Sequence, residues 1–246
     1  MNKREMLIGQ IERICHDRAA LEQFIIANSN LPGPRGNLEL AFAVADVYDN
    51  ATVVREWTGI TEDQAGVNDP RAFLPFCGAV CLGNLYTKQK KQAYITLLKQ
   101  LAADGRWRMR EAVAFGFQRI GEYDFGILER VFSGWIANAG NLERRAILAA
   151  LAHPPNLNES TTPFCFRIAD QVLRELDTTS DFDVLKKGLE FTISVFAAAD
   201  SRSGFRFIEK WIGTDRVIDR ILRENLKKKR LVRINPDRVA ELLGRV

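Results

Sequence analysis

Along most of the chain, apolar residues recur at three- and four-residue intervals, the period of a helix with one buried face. Strand signals are weak: β-branched runs are short, and no hairpin dipeptide stands between alternating segments. From residue 89 the predicted helices come in pairs. Residues 89–103 pair with 106–119 across Asp104-Gly105, and 124–137 with 141–152 across Asn138-Ala139-Gly140. Residues 163–177 pair with 182–199 across Thr178–Asp181, and 204–212 with 215–229 across Gly213-Thr214. Turns this short join antiparallel neighbours. A last helix, 236–244, closes the series. Earlier in the chain, 4–27 predicts one or two amphipathic helices, 38–49 and 71–85 continue the pattern, and 59–69 reads as a surface loop or a broken helix. Asn37, and the dipeptides Asp69-Pro70, Thr162-Pro163 and Asn235-Pro236, mark helix starts.

Two of these helices look like copies. Trp107–Phe115 and Asn141–Ala149 superimpose at an offset of 34 residues, which sets Arg110 over Arg144, Ala112 over Ala146 and Val113 over Ile147. Lys186 to Arg220 repeats the interval of 34, while Arg144 to Lys186 spans 42, the excess falling in the loop around His153–Glu159. Phe42 and Phe76 extend the same ladder backwards to Arg110. A period of this size predicts stacked helical hairpins in which each unit buries its apolar face on the next. The expected fold is all-α, a right-handed α-solenoid of helix pairs running through one domain, 1–246, with repeats clearest at 89–232.

The register carries a functional expectation as well. Each second helix has basic residues near its start: Arg108 and Arg110, Arg144 and Arg145, Lys186 and Lys187, Arg220 and Arg223. Stacking would bring them into a row. Two readings are open. The row lines a concave groove that neutralises the phosphates of duplex DNA, or it pairs internally with Glu111, Glu143, Glu175, Asp219 and Glu224. Trp107, directly before two of the arginines, either stacks on a base or sugar or packs in its own turn with a local hydrogen bond. The nucleic-acid candidates are therefore Trp107, Arg108, Arg110, Arg144, Arg145, Lys187, Arg220 and Arg223.

Composition sharpens this picture only at one end. The net charge is +4, but residues 201–246 hold 13 Lys/Arg against 6 Asp/Glu, while the first 200 hold 22 against 25. That asymmetry fits a polyanion-binding end or a solvated last helix. Hydrophobic residues make up 46%, an ordinary globular value, and no apolar run reaches membrane-spanning length. The segment Met1–Gln10 lacks the apolar stretch of a secretory signal, and four cysteines without CxxC spacing suit a reducing cytoplasm. Cys77 and Cys81, four apart on one helix face, read as small core residues and not as metal ligands. No Walker loop, G-x-S-x-G, G-x-G-x-x-G or H-E-x-x-H occurs, and no cofactor or metal is expected. The loop Leu31–Asn37 places two glycines and an arginine ahead of a helix, either as a phosphate-touching turn or as a plain connection.

The runs Trp107-Arg108-Met109-Arg110-Glu111-Ala112, Asn141-Leu142-Glu143-Arg144-Arg145-Ala146 and Ile218–Leu226, the last followed by Lys227-Lys228-Lys229-Arg230, resemble HEAT and HEAT-like repeats. The pattern is similar to the bacterial HEAT-like alkylpurine DNA glycosylases, over roughly residues 89–232. That resemblance implies stacked helices cradling DNA on a basic concave face. It also implies a Trp shortly before a catalytic carboxylate, with an Arg pair in a later helix, which Arg144-Arg145 match. Trp135 is followed by no carboxylate, and Glu111 is the only acid close after Trp107, so no catalytic carboxylate is assigned. The expected function is a non-catalytic scaffold binding duplex DNA. The alternatives are a glycosylase acting on alkylated purines and a scaffold for an acidic protein partner.

Overall fold

The computed structural model describes residues 3–246. Met1 and Asn2, part of the segment read against a secretory signal, lie outside the described residues. All regular structure among the described residues is helical. The chain divides into two compact units, the first closing at Tyr123 and the second opening at Asp124.

The first unit is organised around one helix, α5 (Phe73–Gln89), in which every residue from Phe73 to Gly83 is buried. A helix apolar on all sides has to be surrounded, and here its neighbours enclose it. On one side α1 (Lys3–Ile14), α3 (Leu38–Val47), α5 and α7 (Trp107–Tyr123) pack as consecutive neighbours. On the other, α2 (Arg18–Ala27), α4 (Ala51–Thr58) and α6 (Gln92–Leu101) lie against α5. The approach of α5 to α7 depends on glycine: a Cβ on Gly83 would stand 2.2 Å from the Gly116 carbonyl oxygen, and one on Gly116 would stand 2.6 Å from that of Ala79.

The second unit repeats this plan around α11 (Phe182–Ala199). Helices α9 (Asn141–Leu151), α11 and α13 (Arg216–Leu226) form one row. Beside them, α10 (Thr162–Arg174) touches α12 (Ser201–Trp211), while α8 (Phe125–Trp135) meets α10 through the Phe125 and Phe164 rings, 6.1 Å apart. Helices α14 (Lys229–Ile234) and α15 (Pro236–Leu243) close the end. Asn225, fully buried on α13, locks the row. Its side-chain oxygen accepts from Ser194 N at 2.8 Å, and its amide donates to Leu189 O and Ile221 O, both at 2.8 Å.

These contacts give the sequence period a physical meaning. Asn225 bonds residues 31 and 36 positions before it, and Gly83 meets Gly116 at an offset of 33. Within each unit, positions about one repeat apart therefore lie at the same height. The longer interval is real too. A Cβ on Gly188 would stand 2.9 Å from Arg145 Cγ, an offset of 43.

Several boundaries depart from the periodic reading. Helix α4 lies in a stretch without an expected element; Asn50 starts it by accepting from Val53 N. The predicted helix 215–229 is broken, because α13 ends at Leu226 and α14 turns away to bury Leu231. Thr162 is the first helical residue and not the cap, since the capping work falls to Asn158, whose side chain accepts from Ser160 N and Thr161 N. Asn37, Asp69 and Asn235 cap as expected. Phe42 and Phe76, instead of continuing a ladder to Arg110, both converge on Phe115, at 5.3 and 6.2 Å between centroids.

Gly83→Ala should lower stability by about 3 kcal/mol, because the added methyl meets backbone and not a side chain that can swing away. Urea unfolding checks this; an unchanged midpoint would mean that α5 and α7 are not in contact there.

Candidate nucleic-acid interface

The basic candidates fall into two groups with different surroundings. Arg108 and Arg110, at the start of α7, are both buried, and so is Arg106 just ahead of the helix, which the sequence reading did not single out. A guanidinium offers five N–H donors and no acceptor, so burying one requires several oxygens. Arg106 donates to Ile60 O at 2.9 Å, Ala65 O at 3.0 Å and Thr61 O at 3.4 Å, and is held by the Asp104 carboxylate at 2.7 Å. Arg108 donates to Val67 O at 3.1 Å and to Gly33 O. Arg110 donates to Asp104 O at 2.7 Å and Gly105 O at 2.9 Å. Together they pin the loop 59–67, the turn at Gly33 and the α6–α7 turn. Burial pulls the Arg108 guanidinium below its ordinary value, an effect that the nearby Glu111 opposes. The glycines of Leu31–Asn37 thus sit beside a structural clamp, with Gly33 presenting its carbonyl to protein.

Arg144 behaves in the same way in the second unit. It is buried and donates to Glu175 O at 2.7 Å and to the Glu175 carboxylate at 2.9 Å, gripping the end of α10. Asn141 adds bonds to Asp177 O at 2.9 Å and Ser180 O at 2.8 Å. Carbonyls at a helix C-terminus have no partner within the helix, and a cation satisfies them while meeting the dipole. Arg145, half-buried, lays its stem against Gly188.

The remaining candidates face solvent. Lys187, Arg220 and Arg223 are exposed. The exposed cations Arg216, Arg220 and Arg223 of α13, with Lys227 at its C-cap, are spaced four, three and four apart, which is one helix face. The opposite face carries the buried Ile218, Ile221, Leu222 and Asn225. Arg223 donates to the Val246 backbone oxygen, and Lys227 pairs with Glu224 at 2.6 Å. Among the described residues Arg216, Arg220 and Lys187 make no ion pair. Lys229, Arg230 and Arg233 on α14 are exposed as well. Neither Arg216 nor Lys227 is among the candidates the sequence offered; their four-residue spacings to Arg220 and Arg223 were the signal available.

The tryptophans also separate. Trp57 donates to Glu22 at 2.7 Å, Trp135 to Glu143 at 3.2 Å and Trp211 to Asp170 at 3.0 Å, and all three are buried. Trp107 is 43% exposed, and its N–H donates to nothing among the described residues. The Arg108 guanidinium covers the indole at 4.3 Å from the centroid. Trp107 and Glu111, one turn apart on α7, line a recess of about 280 Å³ with Pro34, Arg35, Gly36, Leu38 and Phe76.

The cysteines are all free. Burial pushes the Cys77 thiol well up, and those of Cys81 and Cys165 to about 12. Cys15 is half-buried beside His16, its Sγ 3.7 Å from Nδ1. No group of three His, Cys, Asp or Glu residues among the described residues could hold a metal ion, and no described helix is long and apolar enough to cross a membrane. No family model matches the chain, and neither a curated protein nor a solved structure matches it.

Two outcomes are expected. Arg106→Ala should cost about 3 kcal/mol, since it strands the Asp104 carboxylate and three carbonyls at once; calorimetric melting would show it. A thiol reagent near pH 8 should modify Cys15 quickly and the other three only after denaturation, because a buried thiol is inert. Rapid modification of more than one thiol in the folded protein contradicts this arrangement.

Proposed function

We propose that this chain is a HEAT-like helical-repeat scaffold, wound as a right-handed superhelix, that binds duplex DNA without catalysis. The observation that carries the reading is the exposed stripe of Arg216, Arg220 and Arg223 on α13 and Lys227 at its C-cap. Lys187 is joined to it as an exposed cation on α11, the helix that packs against α13. A stripe of exposed cations suits a phosphate backbone, and affinity gained by counterion release depends on salt more than on sequence. The phosphate contacts are assigned to Arg216, Arg220, Arg223, Lys227 and Lys187. Arg108, Arg110 and Arg144 are assigned to holding turns, and Arg145 to packing against α11.

A second reading has one observation in its favour. Trp107 and Glu111 line the same recess, which supplies an aromatic ring and a carboxylate of the kind that alkylpurine excision uses to stabilise positive charge. Its signature is release of free methylated purine from alkylated DNA.

Duplex titration at two salt concentrations tests the first reading. Binding should weaken steeply with salt, and Arg220→Ala/Arg223→Ala should reduce the magnitude of the logarithmic slope by about two. Arg144→Ala should leave the slope intact while lowering stability. Absence of binding at low salt, together with a stable co-purifying acidic protein, would overturn the DNA reading in favour of a protein scaffold.

A further inference from the structure

We propose that α8, α10 and α12 carry a second docking face, one that takes an extended acidic segment of a partner protein. These are the first helices of the hairpins in the second unit, so the proposal rests on neither the α13 stripe nor the DNA reading. Its basis is a register. Arg130, Arg167 and Arg206 are each the sixth residue of their helix. All three are exposed, and none makes an ion pair among the described residues. They follow one another at intervals of 37 and 39 residues. The contacts between these helices run at nearly the same offsets. Phe166 meets Phe207, 41 residues on, with ring centroids 5.1 Å apart. Asp170 is met by Lys210 and Trp211, 40 and 41 residues on. Contacts in that order make α10 and α12 parallel, with Arg167 and Arg206 within two residues of level, about 3 Å along the helix. Between α8 and α10, Phe125 meets Phe164, 39 residues on. Glu129 stands near Cys165, 36 residues on, where its charge adds to burial in raising the thiol. The interval of 37 from Arg130 to Arg167 falls between those two offsets, so the three guanidiniums form a row across three neighbouring helices.

The spacing selects the partner. Packed helices lie about 8–10 Å apart, so the row offers one guanidinium at each such step, and each fork takes a carboxylate through two hydrogen bonds. A polyproline II segment has three residues per turn and rises about 3.1 Å per residue, which returns every third side chain to the same side after about 9 Å. Asp or Glu at every third position therefore meets the arginines one by one. The row is also one cation wide. Asp170 and Glu209 stand one turn beyond Arg167 and Arg206, where Arg174 and an ion pair from Arg238 hold them. They do not consume the row, yet they border it with carboxylates. A duplex, with one charge per about 1.7 Å of its axis over two strands, would press phosphates against that border. A single acidic strand that follows the row keeps clear of it.

Fluorescence anisotropy of the full chain at low salt tests this with two fluorescein-labelled peptides of equal charge. One is three repeats of Glu-Pro-Pro, which holds the extended form in advance. The other has the same composition with its three glutamates adjacent. The spaced peptide should bind about fivefold or more tightly than the clustered one. The triple variant Arg130→Ala/Arg167→Ala/Arg206→Ala should weaken the spaced peptide about tenfold, as expected for the combined loss of three exposed pairs. All three side chains are exposed, so thermal melting should be unchanged. Arg220→Ala/Arg223→Ala should leave peptide affinity as it is, and the triple variant should leave the salt dependence of duplex binding as it is, so each reading stands or falls separately. Equal affinity for the two peptides, full binding by the triple variant, or no anisotropy change up to about 0.3 mM protein overturns the proposal. Loss of duplex binding in the triple variant overturns it too, and gives the row to nucleic acid.

Discussion

Buried guanidinium groups that satisfy the carbonyls of inter-helix turns are the interaction on which the rest of this structure depends. A fold of short helices has many helix ends, and each leaves carbonyls without a partner in the helix. Here the first turns of α7 and α9, with Arg106 just ahead of α7, supply the missing donors. Arg106, Arg108 and Arg110 hold the loop after α4, the turn at Gly33 and the α6–α7 turn. Arg144 and Asn141 hold the end of α10 and the turn that follows it. An unpaired buried carbonyl or charge is far more expensive than the bond it forgoes. These side chains therefore fix where the loops lie, and the loop held at Gly33 supplies Pro34, Arg35 and Gly36 to the recess beside Trp107.

The second constraint is close approach. Gly83 against Gly116 and Gly204 against Ala197 let helix backbones meet without intervening side chains. Close contact keeps the register of neighbouring helices rigid, and a buried, fully bonded Asn225 does the same by a polar route. With the register fixed, every repeat-equivalent position acquires a defined neighbour.

What remains after internal demands are met is a small set of unspent groups. Arg216 and Arg220 make no ion pair among the described residues, and α13 has its apolar face buried behind them and solvent in front. Trp107 keeps its N–H undonated among the described residues, while Trp57, Trp135 and Trp211 do not. Burial of an indole without a hydrogen bond carries a penalty, and exposure of one invites a ligand. The functional reading rests on this distinction between groups the fold consumes and groups it leaves over.

The apolar period, the turn dipeptides and the cap residues were enough to mark an all-helical chain and its helix pairs from residue 89 onward, because these follow from local geometry and from each helix's own buried face. The irregular interval of 42 was legible for the same reason, and Arg145 against Gly188 shows it in three dimensions. Local signals missed α4, whose eight residues carry too short a pattern, and the break after Leu226, where burial of Leu231 overrides a continuous basic run. Only the tertiary structure decided which arginines are internal. Arg144 and Arg145 are adjacent in sequence, yet about 100° apart around a helix, and one grips Glu175 while the other packs its stem on Gly188. Whether a given cation meets a carbonyl, a carboxylate or water is set by the loop that folds against it, and that loop comes from a distant part of the chain.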